Sequence, residues 1–129
     1  MEIEIPVSVG ELLDKLSIVE IKRMKIKNKE KLAYLNLEYE LLNEKVKHIR
    51  KISEKDFDNF YSSLMEINSK LWDIEDEIRA LEGKKQFDQD FIDLARNVYI
   101  TNDMRFEVKS DINKYFGSTI VEQKELKNY

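Results

Sequence analysis

The chain has 129 residues, a formal net charge of −4, 37% charged residues, no cysteine and a single proline, Pro6. That length fits one domain with a real core. The absent cysteines exclude disulfides and thiolate zinc sites, and the acidic balance leaves no basic footprint for nucleic acid. Abundant Lys, Glu and Leu with only three glycines read as long helices. No apolar run approaches membrane-spanning length. The start, Met1-Glu2-Ile3-Glu4-Ile5, is acidic and lacks a signal-peptide pattern. The expectation is a cytoplasmic helical domain over residues 1–129, with neither membrane nor nucleic acid as a partner.

Residues 1–7 alternate Ile3, Ile5 and Val7 with polar positions, an extended segment that Pro6 would end. Ser8 and Glu11 then form a capping box, with Val7 and Leu12 spaced as its hydrophobic staple. The first helix runs to about Ile26 and buries Val9, Leu12, Leu13, Leu16 and Val19. Glu20 and Arg23 continue that face and are spaced to pair with each other. The lysine-rich stretch Lys22 to Lys31 reads as a solvated helix end.

Asn28 is the expected N-cap of a second helix. Leu32, Leu35, Tyr39, Leu42, Val46 and Ile49 give it a narrow three-four seam. His48, the sole histidine, lies off that seam. Ser53 caps a third helix running to about Glu82. Its seam is Phe57, Phe60, Leu64, Ile67, Leu71, Ile74, Ile78 and Leu81. A second apolar stripe, Tyr61, Met65 and Trp72, lies beside it. Asn68, Glu75 and Arg79 sit between the two stripes. The surplus apolar surface near Tyr61 and Trp72 points to a homodimer or higher homo-oligomer. Gly83 reads as the C-terminal cap.

The fourth helix, capped by Asp88 or Asp90, ends at Gly117. Its apolar face is Phe91, Leu94, Ala95, Val98, Val108, Ile112 and Phe116. At about 100° per residue, Asn102, Arg105, Lys109 and Asn113 fall within the same arc. Residues 118–129 form a polar tail in which Ile120 and Val121 are the anchors, placed to pair with Ile3 to Ile5. The sum is an all-α antiparallel bundle of about four long helices with a short extended N-terminal segment.

Three helices thus carry polar groups inside apolar arcs. Arg23, Arg79, Arg105 and Lys109 are the cations, and Glu20 and Glu75 the anions, which leaves two positive charges unmatched. A buried unpaired charge costs several kcal/mol, so either some of these heads reach water, or acids such as Asp76 or Asp103 swing in, or an anion fills the gap. Arginine binds two carboxylate or phosphate oxygens at once, and Asn68, Asn102 and Asn113 supply orienting hydrogen bonds. The favoured expectation is a small phosphorylated or carboxylated ligand held by Arg79, Asn102, Arg105, Lys109, Asn113, Arg23 and Asn68. Glu20 and Glu75 are the carboxylates placed to carry a proton or pair with those cations. The alternative is a non-enzymatic oligomerisation or adaptor protein in which the same charges close on one another. No phosphate loop, nucleophile elbow or zinc motif is present, and neither metal nor cofactor is expected.

Three segments carry a resemblance. The first is Val9-Gly10-Glu11-Leu12-Leu13-Asp14-Lys15-Leu16 with Ile18, Glu20, Ile21 and Lys22. The second is Leu71-Trp72-Asp73-Ile74-Glu75-Asp76 with Ile78 and Arg79. The third is Phe91-Ile92-Asp93-Leu94-Ala95-Arg96-Asn97-Val98-Tyr99, continuing through Asn102-Asp103, Arg105, Lys109, Ile112-Asn113 and Gly117-Ser118. Together they resemble an uncharacterised family of short bacterial and phage proteins known as a domain of unknown function. The resemblance implies a single domain and carries no established activity. Its motif residues include Glu20, Glu75, Arg79, Asn102, Arg105, Lys109 and Asn113. In that family the tail reads Glu-Glu-Lys before a terminal Tyr, where this chain has Glu122-Gln123-Lys124 and Tyr129.

Overall fold

A computed structural model describes residues 1–125; Tyr129, the last residue of the expected tail motif, lies outside them. Four helices follow one another: α1 (Val9–Lys25), α2 (Lys29–Arg50), α3 (Glu54–Gly83) and α4 (Gln89–Phe116). The fold is an all-α bundle, as the periodicity predicts.

Each helix starts where a side chain takes up a free backbone N–H. Ser8 accepts from the Glu11 amide, Asn28 from Lys31, Ser53 from Asp56 and Asp88 from Phe91. The reciprocal half of the Ser8 capping box is absent, because the Glu11 carboxylate turns instead to Lys109. Gly117 ends α4 with φ of 66°, a left-handed cap that glycine adopts without strain. Gly83 does not play that part for α3. It remains helical, and the chain turns at Lys85, whose φ is 58°.

α1 is the shared element. It packs against α2, α3 and α4, while α3 and α4 form the most extensive pair and α2 meets α3 only lightly. Being surrounded on several sides, α1 buries Leu13, Leu16 and Val19 and also Gly10, Asp14, Ser17 and Ile21. The core gathers Leu13 and Leu16 with Val46 and Ile49 of α2, Phe57 and Leu64 of α3, and Ile112 of α4.

α3 and α4 run antiparallel, as contacts near the base of their hairpin record. Phe60 packs edge-on against Tyr115 and Phe116, and the Tyr115 hydroxyl donates to Asp56. Towards its tip the pair is covered less: Ile92, Tyr99 and Ile100 are exposed. Among the described residues there is no strand. Ile3, Ile5, Ile120 and Val121 are all exposed and do not pair. Two isolated segments of that length have no third strand to stabilise them. Among the described residues no helix is long and apolar enough to cross a membrane.

Candidate functional site

The polar layer begins on α1. Gly10, Asp14, Ser17 and Ile21 succeed one another at steps of four, three and four, so they share one stripe. That stripe faces α3 and α4. At its upper end the helices approach so closely that a Cβ on Gly10 would lie 2.5 Å from the Lys109 carbonyl oxygen. The first amides of α1 are satisfied from α4 and the chain beyond it. Gly10 N–H donates to Asn113 Oδ1 at 2.7 Å, and Val9 N–H to Ser118 Oγ at 3.1 Å. Asn113 therefore caps α1, with its Nδ2 buried and without a hydrogen bond among the described residues.

One turn along the stripe, Asp14 is fully buried. Its carboxylate accepts from Arg105 Nε at 2.9 Å and from Arg105 Nη2, a two-pronged pairing. Asn68 Nδ2 donates to Asp14 Oδ1 at 2.9 Å and to Ser17 Oγ at 2.8 Å, and the Ser17 hydroxyl donates to the Asp14 backbone carbonyl at 2.7 Å. The hydrogen bonding to Asp14 pushes the pKa of the Arg105 guanidinium above its ordinary range, against the opposing effect of burial. Arg105 stays charged and oriented. Its Nη1 is left with one long contact, 3.5 Å to Asn102 Oδ1.

Lys109 lies a turn further along α4. Its amine meets Glu11 at 2.7 Å, Glu122 at 2.8 Å and Asp14 at 4.0 Å. Burial acts to lower its pKa, but the hydrogen bonds to Glu11 and Glu122 outweigh that, and the net shift is upward. The tail that carries Glu122 runs back over α4, where Lys124 pairs with Asp103 at 3.3 Å and lies over the Phe106 ring.

The two charges that sequence leaves unmatched are thus closed by Asp14, Glu11 and Glu122, not by Glu20 or Glu75. Asp103, one of the acids expected to approach, turns to Lys124 instead. Sequence periodicity passes over Asp14 because it treats α1 as having a single buried face. The small-residue stripe of Gly10 and Ser17 around Asp14 is the signal that marks the second.

The other expected residues fall in two places. Glu20 and Arg23 are away from this layer and do not pair. Glu20 accepts from the Tyr61 hydroxyl. Arg23 donates to Asn36 at 2.9 Å and lies over the Tyr39 ring, 3.9 Å from its centre. The reason is that α1 presents these two residues to different neighbours, α3 and α2. Burial, then the bond to Glu20, raise the Tyr61 phenol well above its ordinary range.

Glu75 and Arg79 do lie near Arg105. They line a cleft of about 570 Å³ between α1, α3 and α4, together with Trp72, Asp76, Asn102 and Arg105. Ile18, Ile21 and Leu71 supply its apolar floor. Arg79 meets Glu75 only at 3.8 Å, and both side chains are largely exposed. A second depression of about 460 Å³ on the far side of Arg105 and Asn102 is bounded by Lys109, Glu122 and Lys124. Among the described residues no group of His, Asp and Glu side chains is arranged to hold a metal ion.

Fold and site together define a small helical protein in which a closed internal charge layer borders an open cleft. The chain belongs to a family of unknown function, DUF6165, whose model matches residues 1–128. No curated protein and no solved structure matches it.

Proposed function

We propose that the chain binds a small molecule through an anionic group, carboxylate or phosphate, in the cleft between α1, α3 and α4. The observation that carries this reading is the state of Arg105. Two of its nitrogens are fixed by buried Asp14, the third makes only a long contact to Asn102, and both Arg105 and Asn102 line the cleft. A donor already oriented loses little freedom when a ligand arrives. Arg79 is free enough to turn inward, and Trp72 offers a flat apolar wall. The volume lies within the range of small-molecule sites. Lys109 and Asn113 belong to the support of this site rather than to the ligand, since the Lys109 amine serves Glu11 and Glu122 and the Asn113 side-chain oxygen serves Gly10. Glu75 and Asp76 are carboxylates of the cleft; Glu20 is committed elsewhere.

A second reading, an oligomerisation or adaptor module, draws on two observations. The Lys109 charges close on their own chain. In addition, Tyr34, Leu37 and Leu41 are exposed along one face of α2, a helical stripe fit to meet a second copy.

Trp72 is the only tryptophan, so its emission reports on the cleft. Titration with carboxylated and phosphorylated metabolites is expected to change that emission and to raise the melting midpoint. Arg79→Ala is expected to weaken the response without altering the unliganded melt. A panel without effect on either signal, with a dimer in sedimentation that Leu37→Glu dissociates, would replace this reading with the second.

A further inference from the structure

We infer that the molecule taken by the cleft carries an ammonium group as well as a carboxylate, the charge pattern of an amino acid, with an apolar body against Trp72. The inference rests on the cleft reading above and narrows it. The starting point is the charge around the cleft. Arg79 and Arg105 face Glu75 and Asp76, and buried Asp14 stands behind Arg105. Two cations against three carboxylates leave the surroundings net negative. A phosphate dianion would bring more of the same sign and be repelled by these carboxylates. A simple amine would leave the outward nitrogen of Arg105 unused.

The placement of the groups around the cleft sharpens the point. Asn68 and Arg105 meet on the same oxygen of Asp14, which fixes one end. Trp72 is one turn further along α3. Glu75 and Asp76 follow in the next turn, and Arg79 in the one after. Trp72, Glu75 and Asp76 lie three and four residues apart on one face of α3, and all three line the cleft with Arg105 and Asn102. A carboxylate held by Arg105 and Asn102 leaves the ammonium on the neighbouring carbon to Glu75 or Asp76, and the apolar body to Trp72. Ile18, Ile21 and Leu71 accept the apolar body.

The test uses the full chain and a matched set of probes: L-phenylalanine, 3-phenylpropionate, which lacks the amine, phenethylamine, which lacks the carboxylate, and inorganic phosphate. Trp72 emission, excited where only tryptophan absorbs, gives each dissociation constant. L-phenylalanine is expected to bind at least about tenfold more tightly than either half-molecule, the ratio that corresponds to about 1.4 kcal/mol. Asp76→Asn, at an exposed position, is expected to bring L-phenylalanine down to the level of 3-phenylpropionate with the melt unchanged. If 3-phenylpropionate or phosphate binds as tightly as L-phenylalanine, the ammonium claim is overturned and the anion cleft stands. If none of the four probes alters emission or melting midpoint, both fall.

Discussion

Arg105 and Arg79 sit on adjacent helices and border the same cleft, yet their surroundings are opposite. The Arg105 side chain is 28% exposed and grips a fully buried carboxylate; that of Arg79 is 80% exposed and meets Glu75 loosely. Residue type does not separate them, since each is an arginine beside an acid. The difference is α1. Where α1 passes, water is excluded and the acid on its inner stripe must be matched by charge. Beyond α1, towards the tip of the α3–α4 hairpin, the same kind of pair stays solvated and adaptable. A rigid charged layer beside a mobile one is what a binding cleft needs from its walls.

The sharpest way to break this contrast is to remove one acid from each side. Asp14→Ala strands Arg105 and is expected to cost about 3–5 kcal/mol in a denaturant melt. Glu75→Ala is expected to cost under about 0.5 kcal/mol, as exposed helix pairs do. Pairing Asp14→Leu with Arg105→Met is expected to recover much of the loss, since apolar replacement of both partners leaves no orphaned charge.

The next effect is at the close approach. Gly10→Ala puts a methyl against the Lys109 carbonyl and disturbs the Asn113 cap. About 1–3 kcal/mol is expected from the overpacking. Gly83→Ala, with open space around its Cβ, is expected to stabilise slightly by removing backbone freedom within a helix.

High pH acts on two groups of the packed interior. Tyr61 and Lys109 both have raised pKa values, so the folded chain keeps their protons when the unfolded chain has lost them. Their contribution is complete below the ordinary values near 10 and is lost as pH rises through the raised ones. The melting midpoint is therefore expected to fall above about pH 10, with Tyr61→Phe showing a shallower fall than the unaltered chain. The tail contributes modestly. Glu122→Gln leaves Lys109 its bond to Glu11 and is expected to cost under about 1 kcal/mol by melting.

Much of the fold is legible in the sequence because its determinants are local. Ser8, Asn28, Ser53 and Asp88 cap their helices where the residue pattern puts them, and the three-four seams of α2 and α3 face the core. The inward set of α4 is legible for the same reason: α4 has one buried face, and Lys109 and Asn113 lie on it. What is not local is harder to read. Asp14 adjoins Leu13 in sequence and points a different way around the helix. Only the presence of α3 and α4 on that side makes it interior. Glu11 reads as half of a capping box until Lys109 competes for it, and an exchange of a backbone amide for a buried ammonium favours the charged donor. Glu122 lies in a polar tail whose return over α4 no periodicity encodes.

The most direct measurement is hydrogen exchange at the Nε–H groups of the two arginines, read by NMR on the unliganded chain. A protected Arg105 Nε–H, held by Asp14, is expected beside an Arg79 Nε–H that exchanges as freely as in an unfolded peptide. Equal and rapid exchange at both would contradict it, because Arg105 would then be as solvated as Arg79 and the cleft would have no fixed wall.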